Sequence, residues 1–173
     1  ASQAGITKLI VYRHFDSKEA LYEAVLQQVS GRLAEEFVTG LAAAPAGRGV
    51  GVTTLLTVAR EDPDGFVLLW RHAAREPQFA DHASRFRDQA VALPLSMLDR
   101  VQPQADRRLH RWQAELIMSF LVDAVLHWLE EGTPKRDAEM IELTTRSLTA
   151  MVGAWAAPAD QAADQPAAAS ETA

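Results

Sequence analysis

The chain has 173 residues, a net charge of −6, 48% hydrophobic and 23% charged residues, and no cysteine. This length and balance fit one soluble globular domain with a small appendage, and exclude a disordered chain, a disulfide scaffold, thiolate metal sites and a cysteine nucleophile. The acidic total argues against a surface coated in nucleic acid, and leaves room only for a local basic reading head.

Taken in chain order, nearly every segment reads as helix. Gly5 precedes a short helix from about Thr7 to Phe15, which Thr7 can cap. Asp16–Ser17 breaks it and starts the next, through Asp16 with Glu19 or through Ser17 as the cap. The second helix shows Leu21, Val25, Val29, Leu33, Phe37 and Leu41 at i+4 spacing and runs to Ala44, before a Pro45–Gly49 loop. Val50–Val58 is rich in β-branched residues, yet passes into Ala59-Arg60-Glu61 without a turn, so it reads as a third helix to about Arg60. Asp62-Pro63 is a cap followed by proline at N1. It opens a fourth helix, with Phe66, Leu69, Trp70 and Ala73 on one face, that ends at Pro77. The fifth runs from about Phe79 to Val101, with a kink expected at Pro94. The sixth covers about Ala105–Glu131 and stops at Gly132. Thr133-Pro134 caps a seventh, to about Ala156. Residues 158–173 hold no large apolar side chain and are expected to be a disordered tail.

The informative stretch is Ala4 to Leu21: a glycine turn, a short helix, a capped turn and a long helix. That is how a helix-turn-helix places its second helix. Ile6, Val11 and Phe15 can pack inward, leaving Lys8, Tyr12 and His14 outward or flanking. Residues 1–18 carry Lys8, Arg13 and Lys18 against Asp16, a local charge of +2 within an acidic chain. Polar aromatics among basic residues suit phosphate and groove contact.

The run Ala-Gly-Ile-Thr-x5-Tyr-x-His-Phe-x-Ser-Lys-Glu-x-Leu resembles the recognition helix, and the start of the fourth helix, of the TetR family of bacterial transcriptional regulators. The resemblance covers Ala4 to Val25. It implies an all-α fold, with residues 1–21 as part of a helix-turn-helix, 22–156 as a helical ligand-binding and dimerisation domain, and 157–173 as the tail. It implies DNA contacts from Thr7, Lys8, Leu9, Ile10, Tyr12, His14 and Lys18. The family often has small residues where Leu9-Ile10 stand. Bulky aliphatics there could touch a thymine methyl or could reduce polar base reading. Against the family pattern, Ala1–Ala4 correspond to the end of a scaffold helix, so the first helix and most of the scaffold helix are expected upstream.

No catalytic constellation is found. His14, His72, His82, His110 and His127 form no His-Glu-x-x-His pattern, and there is no Gly-x-Ser-x-Gly elbow. Gly47-Arg-Gly-Val-Gly51 lacks the preceding strand of a nucleotide loop and reads as an interhelical loop. Asp123 with His127 reads as a core or interface pair. No cofactor, no metal and no enzyme activity is expected. The most apolar run, Leu116–Leu129, is 14 residues long and interrupted by polar side chains, too short to cross a bilayer. There is no signal peptide at the start, so the expected location is the cytoplasm.

Phe37, Phe66, Trp70, Phe86, Met97, Trp112 and Met118 come from four helices. The resemblance implies a cavity among them for a small apolar or amphipathic ligand. Arg71, His72 or Arg75 could supply a polar handle. The sixth helix is apolar on almost every face, including Phe120, Ala124 and Trp128. The seventh shows Ile141, Thr144, Leu148, Met151 and Trp155 at 3-4-3-4 spacing, with Val152 beside them, a bundle seam. In the family these helices form a homodimer interface. A twofold dimer on double-stranded, palindromic DNA, released by a ligand, is the leading expectation. The alternative is a helical small-molecule-binding domain whose head no longer reads DNA.

Overall fold

The computed structural model describes residues 17–43 and 48–156. The expected recognition helix and the tail lie outside the described residues. The elements are α1 (Lys18–Ala43), α2 (Val50–Glu61), α3 (Pro63–Val67), a π turn (Leu68–His72), a 3₁₀ turn (Ala73–Arg75), α4 (Ala80–Val101), α5 (Arg107–Glu131), a 3₁₀ turn (Pro134–Arg136) and α6 (Asp137–Ala156). Among the described residues all regular structure is helical, as the sequence predicts.

Side-chain caps fix where the helices begin. Ser17 Oγ accepts from the Ala20 N–H at 3.0 Å and so serves as the cap of α1. Asp62 Oδ1 accepts from the Gly65 N–H at 2.9 Å, with Pro63 at the first helical position of α3. Asp106 Oδ1 accepts from the Arg108 N–H at 2.9 Å, so α5 begins slightly later than the expected Ala105. Gly49 enters α2 at φ 76°, a left-handed conformation that favours glycine.

The β-branched run of α2 is explained by its position. Val52, Leu55, Leu56, Val58 and Ala59 are all buried, and α2 packs against α1, α5 and α6. A helix enclosed on several sides needs no polar stripe. From α1, Leu26, Val29 and Leu33 complete this centre, whereas Leu41 lies exposed beyond it. The other major contact is α4 against α5, which buries Val91, Leu98, Ala114, Ile117 and Met118. Helix α4 continues through the buried Pro94, whose missing N–H leaves the Ala90 carbonyl without its intrahelical donor.

One expected element is corrected. The continuous helix from Pro63 to Pro77 is instead an α turn, a π turn and a 3₁₀ turn in succession. The Ala73 N–H donates to the Leu68 carbonyl, five residues back, which widens the helix. Phe66, Leu69 and Ala73 remain buried and Trp70 half-buried, so the inward face survives the change of helix type.

The last helix is tied down by one carboxylate. Asp137 opens α6 and accepts from Arg60 Nε at 3.1 Å and Nη2 at 2.8 Å. It also accepts from the Trp128 indole N–H at 2.6 Å. The contact therefore joins α2, α5 and α6. The Arg60 hydrogen bonds hold the Asp137 carboxyl below the usual carboxylate range, with help from Trp128 and against the opposing effect of burial. A depressed folded-state value stabilises the fold above the unfolded pKa, near 3.9, and the contribution is lost as pH falls through the folded value. Asp137→Ala is expected to lower unfolding stability at pH 7 by about 2 kcal/mol in urea titrations. Asp137→Asn should flatten the fall in stability below about pH 4. An unchanged acid slope in the Asn variant would remove this carboxylate from the account.

Candidate functional site

Lys18 is the first residue of α1 and is exposed. The other residues expected to touch DNA, Thr7, Lys8, Leu9, Ile10, Tyr12 and His14, lie outside the described residues. One turn into α1, Tyr22 stacks on Phe79 with centroids 4.2 Å apart and planes 14° apart. Burial, and then the Glu76 carboxylate, push the Tyr22 phenol up. The stack attaches the start of α1 to the start of α4.

Three of the seven expected pocket residues form a chain of rings. Phe66 and Trp70 lie 6.3 Å apart and tilted, and Trp70 meets Phe86 edge-on at 5.4 Å. Met118 is buried and Phe37 half-buried, but neither joins this chain of rings. Met97 is 43% and Trp112 55% exposed. Trp112 instead pairs with Trp155 across α5 and α6, centroids 6.4 Å apart. Of the expected polar handles, Arg71 pairs with Glu130, while His72 and Arg75 are exposed.

Two buried nitrogens border the ring chain without a hydrogen-bond partner among the described residues: Trp70 Nε1 and His82 Nε2. His82 lies one turn before Phe86, on the same side of α4. A second polar group sits at the turn between α4 and α5. His110, 1% exposed, shares a hydrogen bond of 2.6 Å with Asp99 through Nδ1. Its Nε2, Gln113 Oε1 and Gln102 Nε2 are buried without partners among the described residues. Sequence reasoning missed this group. The available signal was a His110–Gln113 pair, three residues apart, leading into the apolar row Ala114, Ile117 and Met118.

The residues expected at a dimer interface are shared between the chain's own core and its surface. Thr144 is buried, and Phe120, Ala124, Trp128, Ile141, Leu148, Met151, Val152 and Trp155 are half-buried. The outward faces carry other side chains: Leu109, Trp112 and Leu116 on α5, and Leu143, Ser147, Ala150 and Ala154 on α6. Asp123 and His127 are both exposed, so the pair is not part of the core.

A surface groove of about 430 Å³ runs between α2 and α6, lined by Thr53, Leu56, Thr57, Arg60, Asp137 and Ile141. Its charged floor is the Arg60–Asp137 pair, already mutually satisfied. Among the described residues no group of three histidine, aspartate or glutamate side chains could hold a metal ion. No described helix is long and apolar enough to cross a membrane.

Comparison with known proteins adds what lies before α1. Two relatives from Mycobacterium tuberculosis strains, the uncharacterized HTH-type transcriptional regulators MT1294 and Rv1255c, are each 30% identical over 128 residues. Each match covers 70% of this chain and 62% of the relative, so the chain spans under two thirds of their length. Residues 1–25 match the family described as bacterial regulatory proteins, tetR family. This segment contains Gly5, the Tyr12-x-His14-Phe15 run and the Ser17-capped start of α1.

Proposed function

We propose that the whole protein is a DNA-binding transcriptional regulator, a ligand-responsive repressor acting as a homodimer on a palindromic operator. In this reading residues 1–21 belong to the reading head, and residues 22–156 bind the ligand and the second copy. The observation that carries it is the family match over residues 1–25, which runs directly into a helix docked on the helical body through Tyr22 and Phe79. The names of the two relatives agree with transcriptional regulation. The exposed apolar stripe Leu109–Trp112–Leu116, with Leu143 on the neighbouring helix, supports a self-complementary interface.

Two outcomes are expected. In the full-length protein, binding to a palindromic duplex should fall steeply with salt in anisotropy titrations. Tyr12→Phe and Lys18→Ala should weaken binding to every sequence, whereas Thr7→Ala or Lys8→Ala should shift sequence preference. A full-length protein that prefers no sequence would overturn the regulator reading. In sedimentation at micromolar concentration, Trp112→Glu should yield a monomer, because two carboxylates would enter an apolar interface unpaired. A loss of a hundredfold or so in dimer affinity is expected. Lys135→Glu, exposed in the 3₁₀ turn before α6, should leave the dimer intact. Leu148→Glu should lower the unfolding midpoint, since that side chain packs against the chain's own core. A Trp112→Glu protein that remains a dimer would place the interface elsewhere.

A further inference from the structure

We propose that the outward stripe of α5 recognises a second copy of itself in antiparallel register, with Arg108 of each copy meeting Asp123 of the partner subunit. The proposal rests on the homodimer reading above and adds what selects the partner and its direction.

The chemistry of this stripe changes in order along the helix. Arg108 is exposed at its start. Leu109, Trp112 and Leu116 follow at 3-4 spacing and are exposed apolar side chains. The same spacing then reaches Asp123, and one turn later His127, both exposed. An order of basic, apolar and acidic is its own complement when read backwards. Two copies paired antiparallel about Trp112 would cover each other's apolar middle and set a basic end on an acidic end twice. A parallel pair would set like charges together. The lengths agree. From Trp112, Asp123 lies about 16 Å along the helix one way and Arg108 about 6 Å the other. Helical side chains lean toward the N-terminus, so the long Arg108 side chain reaches outward while Asp123 leans back toward the centre. That brings the two level across the pair.

The other charges on α5 leave this pairing open. Arg111 is paired with Asp88 and Glu115 with Arg87, both toward α4, and Glu130 is paired with Arg71. No ion pair among the described residues engages Arg108 or Asp123. Around them the ends keep opposite sign. Arg100 and Arg107, against the capping Asp106, stand at the basic end, and Glu130 and Glu131 at the acidic end. Beside the stripe, the outward row of α6 is Leu143, Ser147, Ala150 and Ala154, without charge. Glu142 and Arg146 flank that row one turn apart with opposite signs, so they favour neither direction. The direction of pairing therefore falls to α5. Charges placed this way fix register and exclude wrong partners more than they add affinity, which the apolar middle supplies.

The test uses the full-length protein, the charge reversals Arg108→Glu and Asp123→Lys, and the double variant that carries both. Both side chains are exposed, so neither reversal enters the core. In sedimentation each single variant is expected to weaken the dimer about tenfold, since like charges then meet at both ends of the stripe. The double variant exchanges the two ends and should recover wild-type affinity. Bulk charge gives the opposite sign for Asp123→Lys, which moves the net charge of −6 toward zero and would tighten the dimer. The two single variants are also mixed, with tags of different mass, and read by native mass spectrometry. One is acidic at both ends and the other basic at both, so mixed dimers should exceed the statistical share. Where the dimers are too tight to dissociate on dilution, this mixing decides. Statistical mixing, a single variant that dissociates no more readily than a dissociable wild type, or a double variant no tighter than the singles would each overturn the proposal. Failure of the homodimer reading has a separate signature. In that case the wild-type protein sediments as a monomer, and the proposal falls with it.

Discussion

Asp137 is where the helical body is closed. Its two carboxylate oxygens take up the guanidinium fork of Arg60 and the indole N–H of Trp128, so one residue at the start of α6 is bonded to the end of α2 and the last turns of α5. The geometry is bidentate and half-buried, the kind of ion pair that contributes more than an exposed one. It also sets the rotation of α6 about its axis. With Asp137 held inward, Met140 and Thr144 follow on the same face at helical spacing and are buried. Leu143 is thereby turned outward, with Ser147, Ala150 and Ala154 beyond it.

That rotation explains why the sequence was legible to one level and not to the next. The 3-4-3-4 row from Ile141 to Trp155 correctly marks the apolar side of α6. Periodicity locates an apolar side but does not say which body covers it. The chain's own α2 and α5 bury Met140 and Thr144 and cover the rest of the row only in part, and the Arg60–Asp137 contact that sets this spans 77 residues. The caps were easier, because Ser17 and Asp62 act within three residues of themselves. The β-branched run of α2 was readable as helix for a similar local reason, since no turn interrupts it.

The aromatic residues show the same boundary. Seven large side chains from four helices could be named as inward candidates, but spacing within a helix cannot say which of them meet. The fold joins Phe66, Trp70 and Phe86, and pairs Trp112 with Trp155 on another side of the molecule. The π turn was not readable, because its i+5 bonding leaves the inward face of Phe66, Leu69 and Ala73 nearly unchanged. Nor was the His110–Asp99 contact, which closes across the turn from α4 to α5 and depends on how those helices cross.

Helix α4 links the two halves of the proposed regulator. Phe79, immediately before its first turn, stacks on Tyr22 of α1, and Phe86, two turns later, meets Trp70. Seven residues of helix place these contacts about 10 Å apart on one rigid element. His82 lies between them. Helix α4 therefore cannot shift at Phe86 without carrying its start against Tyr22. Tyr22 lies four residues after Lys18, within the segment that matches the family. A ligand that binds one position of α4 better than another would thus bias the orientation of that segment by its difference in affinity, and by no more than that difference. The coupling needs no network of surface charges. It needs one stiff helix with two aromatic contacts two turns apart.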